Sequence, residues 1–291
     1  MRILKIREMV LGEGEAKICV PIVEEREEAI LAAAEKAALS GADCIEWRMD
    51  FYRADLSGSP AGREEPEIFA GIAGRIRERI GETPLLLTLR SEDQGGRSSL
   101  SKESLLRFQE QLIACLQRGE ADILDVEHPF RQARGEAYRI LARKAKEKGI
   151  YLLLSQHFCS GTPSEEEIEA YLRQAHEGEA DIVKLAVMPH SKEEVRRLKC
   201  TVKRFCAEKD RKPMIIIAMS DIGRESRIFP RRFFSDLTFA CIGKPSAPGQ
   251  VELSELKTLL YPSLSAYGII KKETRKQNRG SSEKDEVFPL S

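Results

Sequence analysis

No stretch of about 18 apolar residues occurs in this 291-residue sequence, which excludes a transmembrane helix. The opening "MRILKIREMVLGEGEAKICV" has a charge interrupting every apolar run, so it does not read as a signal peptide. Net charge is missing too. The 47 basic residues balance 47 acidic ones, and nothing global points to nucleic acid, an anionic membrane or a polyanionic partner. Seven cysteines (Cys19, Cys44, Cys115, Cys159, Cys200, Cys206 and Cys241) contain no CxxC pair. Cys19, Cys44 and Cys241 sit inside apolar runs, where a thiol behaves as a small hydrophobe. A disulfide framework is therefore not expected, and the pattern suits a reduced, cytoplasmic protein. The four histidines (His128, His157, His176, His190) lack HExxH or any other metal-ligand spacing, so no metal is expected. No GxGxxG follows the first apolar run, which removes the usual sign of a dinucleotide cofactor.

What the chain does have is alternation. Eight short apolar runs read as strands: "KICVPI" (17–22), "DCIEWRMD" (43–50), "PLLLTLR" (84–90), "ADILDVE" (121–127), "IYLLLSQH" (150–157), "ADIVKLAV" (180–187), "PMIIIAMS" (213–220) and "DLTFACIG" (236–243). Between them lie amphipathic helical patterns. Capping boxes are expected at Ser164 with Glu167 and at Ser191 with Glu194. Strands apolar on both faces are parallel strands covered by helices. A βα unit repeating eight times predicts an α/β fold of the (β/α)8 TIM-barrel type, with a doubly wound open sheet as the alternative. The segment before the first strand reads as an extra hairpin placed to plug the N-terminal end of the barrel. Residues 1–268 are expected to form a single catalytic domain. The polar residues 269–291 are expected to be a disordered tail.

Barrel enzymes place their chemistry where the strands end. There the sequence offers Glu46, Arg48 and Asp50, then Arg90, Asp125 and Glu127, His157, Lys184, Arg224 and Arg227, and a loop with Ser246 and Gln250. Taken singly, each has a structural explanation. Glu46 with Arg48 is a plausible ion pair, Asp125 and Glu127 read as structural, and Arg224, Arg231 and Arg232 as solvated. His128, His176 and His190 read as satisfied polar residues. Lys184 is harder to dismiss, because lysine is almost never fully buried unless paired or working. On its strand the inward set is Ile182, Lys184 and Ala186, and the small Ala186 leaves room beside the amine. Desolvation and nearby cations lower a lysine pKa, and the neutral amine then attacks a carbonyl to form a Schiff base. His157, on the neighbouring strand, is the candidate base, and the arginines suit an anionic substrate. The residues alone suggest aldol cleavage or dehydration of a small anionic hydroxy-ketone.

Six segments in order carry a closer likeness: "EWRMD" (46–50), "TLRSEDQGG" (88–96), "SQHF" (155–158), "DIVKLAVMP" (181–189), "MSDIGRESRI" (219–228) and "GKPSAPGQ" (243–250). Over about residues 15–265 the chain resembles type I 3-dehydroquinate dehydratase. The resemblance implies an imine between Lys184 and the C3 ketone of 3-dehydroquinate, with His157 as general acid and base. Syn elimination of water gives 3-dehydroshikimate, in the shikimate pathway to aromatic amino acids. It implies that Arg227 binds the substrate carboxylate, that Glu46, Arg48 and Arg90 contact ring hydroxyls, and that Ser246 and Gln250 lie in a lid. It also implies no cofactor, no metal and a homodimer.

Two positions depart from the family pattern. Gln94 stands where many members carry an acid, so that position keeps its hydrogen bonding but loses the charge. Phe158 follows the histidine where many carry another acid, which leaves Glu127 as the candidate to orient His157. The alternatives are another Schiff-base barrel of the aldolase or transaldolase kind, and a silent metabolite-binding barrel. An aldolase would want a phosphate-binding loop that "SAPGQ" does not resemble. A silent binder would be expected to lose Lys184 or His157.

Overall fold

The computed structural model describes residues 2–53, 66–128, 135–208 and 211–261. The last residues of the expected domain and the expected tail at 269–291 lie outside them. The chain opens with an antiparallel hairpin of β1 (Leu4–Ile6) and β2 (Met9–Leu11). Strand–helix units follow: β3 (Lys17–Ile22) and α1 (Glu27–Leu39), β4 (Cys44–Arg48) and α2 (Pro66–Ile80), then β5 (Leu85–Thr88) and α3 (Lys102–Cys115). Next come β6 (Ile123–Glu127) and α4 (Glu136–Lys148), β7 (Tyr151–Phe158) and α5 (Glu165–Glu177), and β8 (Ile182–Val187) and α6 (Lys192–Glu208). The series ends with β9 (Met214–Ala218), the short α7 (Glu225–Ile228), β10 (Leu237–Cys241), β11 (Val251–Glu252) and α8 (Leu253–Leu260).

All eight expected strands are present. Their parallel ladder runs β10-β3-β4-β5-β6-β7-β8-β9, with β11 added beside β10. The residue pattern separates the two faces of the sheet. In β8, Val183, Leu185 and Val187 face the helices, while Ile182 and Ala186 face inward. Ser164 and Glu167 form the expected capping box on α5. On α6, Ser191 accepts from the Glu194 N–H, but the Glu194 carboxylate reaches back to the N–H of His190 instead.

The expected ring closes differently at one joint. Among the described residues no ladder joins β9 to β10. The Asp236 N–H donates to the Met214 carbonyl at 2.7 Å, and the Asp236 carboxylate accepts from the Met214 N–H at 2.8 Å. Ser235 Oγ accepts from the Ile216 N–H at 3.0 Å and donates to the Leu237 carbonyl at 2.8 Å. Polar side chains thus complete the backbone pairing that the ladder leaves open.

The hairpin sits where the sequence places it. Leu4, Ile6, Met9 and Leu11 are buried in one cluster with the inward residues Ile123, Leu153 and Ile182 from early positions in their strands. They plug the N-terminal end of the barrel and leave its other end open.

Candidate active site

The eight side chains to which the resemblance assigns roles line one cavity of about 220 Å³ at the C-terminal ends of the strands. Lys184 is 6% exposed and points inward from the middle of β8. Its Nζ lies 3.9 Å from Glu46 Oε1 and 4.3 Å from the ring centre of Phe239. Glu46 is itself held by Thr88, whose hydroxyl donates to Oε1 at 2.9 Å. Burial pushes the lysine pKa below its ordinary value, and Arg90 adds to this against the opposing pull of Glu46 and Asp125. One loose carboxylate contact is weak compensation for a desolvated ammonium, so the neutral amine is favoured relative to water.

His157 is the penultimate residue of β7 and keeps part of its surface on the cavity. Burial holds its pKa well below the ordinary value of 6.5, with Arg90, Lys184 and Arg48 adding repulsion. The imidazole is therefore neutral near pH 7 and able to accept a proton. The expectation that Glu127 orients this ring is overturned. Glu127 accepts from Arg90 Nη1 at 3.1 Å, from the Ser91 N–H at 2.8 Å and from the Ser91 hydroxyl at 2.6 Å. Gln94 takes the orienting place: its Oε1 accepts from the His157 N–H at 2.9 Å and stands 3.1 Å from Nδ1. Phe158 turns to the other face of β7 and packs against the helix-side core.

The arginines divide into paired and unpaired. Arg48 does not pair with Glu46. It forms a fork with Asp50, Nε and Nη2 donating at 2.8 and 2.7 Å. Asp50 therefore turns back under Arg48 from a 3-10 turn and does not share the strand face. Arg90 is 2% exposed and gives Nη2 to Asp125 at 2.7 Å and Nη1 to Ser155 at 2.8 Å. Burial alone would lower its pKa, but Asp125, Glu127 and Glu46 together raise it. Asp125 and Glu127 are structural, as expected. Arg227, on α7, differs from both. It is 2% exposed and donates to the Pro248 carbonyl at 3.1 Å, while its Nε has no partner among the described residues. Burial lowers its pKa to about 10. A buried cation with only a carbonyl for company is costly unless an anion joins it. Ser246 and Gln250 hold each other across their loop, Gln250 Nε2 donating to the Ser246 hydroxyl at 2.9 Å.

Sequence reasoning missed several lining residues: Gln94 as the histidine's partner, Cys159, Met188, Met219 and Phe239. Phe239 was within reach, because alternation on β10 sends Leu237 and Phe239 inward together. Arg224 and Arg232 are exposed, as expected. Arg231 is instead tied to Asp236 and to the carbonyls of Glu13 and Gly14. His128, His176 and His190 lie outside the cavity. Among the described residues, no three His, Cys, Asp or Glu side chains are grouped to hold a metal. No helix among them is long and apolar enough to cross a membrane.

The fold and the pocket define a class. This is a (β/α)8 barrel whose open end gathers a desolvated lysine, a neutral histidine and an unpaired arginine around one small cavity. A family model described as type I 3-dehydroquinase matches residues 18–265. A 3-dehydroquinate dehydratase of Enterococcus faecalis is 34% identical over 262 residues, covering 89% of this chain and 97% of that protein. The solved 3-dehydroquinate dehydratase of Geobacillus kaustophilus superposes with a TM-score of 0.78 at 33% identity, over 91% of this chain and 97% of that one. The type I enzyme of Clostridium difficile, solved with covalently modified comenic acid, gives a TM-score of 0.79 at 29% identity, over 91% and 98%. The chain belongs to the type I 3-dehydroquinase family.

Proposed function

We propose that the protein converts 3-dehydroquinate to 3-dehydroshikimate and water through an imine on Lys184. One observation carries the reading: a buried lysine, its charge disfavoured by desolvation, opens onto a cavity shared with a neutral histidine. The neutral Nζ adds to the C3 carbonyl, and the carbinolamine loses water to give a protonated imine. The imine draws electrons from C2 and acidifies its proton, which His157 removes. The C2 electron pair forms the C1–C2 double bond as the C1 hydroxyl departs. His157 returns its proton to that hydroxyl, so one water leaves. A second water hydrolyses the imine and restores the amine.

Arg227 receives the substrate carboxylate, which supplies the counter-charge that its site lacks. Glu46, Arg48 and Arg90 face the ring hydroxyls, and the Ser246–Gln250 loop covers them. No cofactor or metal enters this cycle. The family resemblance supports a place in the shikimate pathway, a cytoplasmic location and a homodimer, the last checked by sedimentation velocity.

Borohydride trapping tests the chemistry. The protein is incubated with 3-dehydroquinate, reduced with sodium borohydride and digested. A reduced adduct is expected on the Lys184 peptide. Dehydration without any adduct would keep the reaction and reject the imine. Absence of both would reject the function.

A further inference from the structure

The end of the barrel opposite the active site holds a larger crevice, of about 720 Å³ against about 220 Å³. It lies beneath the start of β7 and the residues leading into β8 and β9. Five cations line it: Arg2, then Arg139, Arg143 and Lys146 from α4, and Lys212. Among the described residues two carboxylates share the lining, Glu179 and Asp181. Asp181 is partly committed, accepting from the Leu152 N–H at 3.0 Å. The chain as a whole has no net charge, so five against two is a local excess.

Several exposed arginines elsewhere find carboxylates, as in Arg173 with Glu208, Arg196 with Glu193 and Arg204 with Glu165. The side chains of Arg2, Arg139, Arg143 and Lys146 make no hydrogen bond or ion pair with the described residues. Arg139, Arg143 and Lys146 follow at spacings of four and three on one helix. Like charges at those spacings face each other and destabilise the helix that carries them. Lys212 is half-buried and donates to the Gly178 carbonyl at 2.7 Å. Burial lowers its pKa and Arg2 adds to the effect, against the opposing pull of Asp181 and Glu179. A multiply charged anion would offset all of these costs together.

We propose that this crevice binds a small polyanion carrying two or more phosphate or carboxylate groups, at a site separate from the active site. Its volume falls in the range of small-molecule sites, roughly 300–1,000 Å³. Guanidinium forks on α4 match phosphate and carboxylate oxygens in pairs. A concave site in a chain of zero net charge fits a compact ligand better than a nucleic acid, which favours an extended basic surface. The proposal stands independently of the imine chemistry.

Calorimetric titration of the full-length protein with inorganic pyrophosphate at low salt tests it. The parent is compared with Arg139→Glu/Arg143→Glu and with Arg227→Met. One saturable site is expected in the parent and in Arg227→Met, weakened at least about tenfold by the double charge reversal. Turnover of the double variant without anion is expected to match the parent, because both arginines are exposed and outside the catalytic cavity. Unchanged affinity in the double variant would overturn the proposal. So would loss of binding in Arg227→Met, which places the anion in the active site. Failure to saturate at millimolar pyrophosphate, or tighter binding of a short DNA duplex, would also overturn it.

Discussion

One oxygen of Gln94 engages His157 twice, accepting from its backbone N–H at 2.9 Å and facing its ring Nδ1 at 3.1 Å. An amide oxygen only accepts, so the ring must place its proton on Nδ1 and leave Nε2 free as the base. The amide offers no counter-charge to an imidazolium. Burial, then Arg90, Lys184 and Arg48, keep the histidine well below 6.5. In Gln94→Glu the imidazolium gains a carboxylate partner and its pKa rises. The acid limb of kcat/KM is expected to move to higher pH. An unmoved limb would remove Gln94 as the ring's partner.

The two catalytic assignments separate by what accumulates. Lys184→Ala is expected to lose turnover by roughly 10⁴-fold or more while still binding ligand. His157→Ala is expected to lose roughly 10²–10⁴-fold, with borohydride now trapping the stalled imine. Turnover near the parent rate in either variant would sink the corresponding role.

Arg227→Met tests a cation that lacks a carboxylate partner among the described residues. The lost charge-assisted bonds correspond to about 1.5–3 kcal/mol, so KM is expected to rise roughly 10- to 100-fold. Stability is expected to hold or improve, because burying a poorly compensated charge is costly. A denaturant midpoint that falls sharply would mean that Arg227 is structural.

Asp236 holds the joint between β9 and β10. It accepts from the Met214 N–H at 2.8 Å and from Arg211 at 2.7 Å, and it also pairs with Arg231. Asp236→Ala leaves Arg211, 8% exposed, without that partner. A loss of about 3–5 kcal/mol is expected in urea unfolding. A loss under about 1 kcal/mol, within the usual worth of a surface pair, would show that the joint does not depend on it.

Acid should unfold the protein through its neutral histidines. Burial lowers His128 and His176 to about 4, and His157 lies well below 6.5. The unfolded chain binds protons at these sites first, so stability is full above about pH 6.5 and is lost as pH falls toward 4. The slope approaches about 1.4 kcal/mol per pH unit for each histidine. Unfolding free energies measured across that window check this. A flat profile would contradict the burial of these rings.

Much of this was legible in one dimension. Helix and strand periods depend on neighbours within a few residues, so the eight strands, the capping box at Ser164 and the inward set Ile182, Lys184 and Ala186 could be read directly. Barrel topology sends strand ends to one mouth, which is why all eight site residues converge on one cavity. Partner choice is different in kind. Gln94 and His157 lie 63 residues apart, on the exits of two strands with β6 between them. Only the curvature of the sheet decides that Gln94 reaches the ring while Glu127 goes to Arg90 and Ser91. The same holds for Arg48 turning to Asp50, and for Arg231 reaching Asp236 and the hairpin. The sequence by itself determined which chemical groups stand at the mouth. The tertiary structure decided which of them are spent on one another and which are left for a substrate, because a hydrogen bond forms within about 3 Å and no sequence spacing encodes that distance across a barrel.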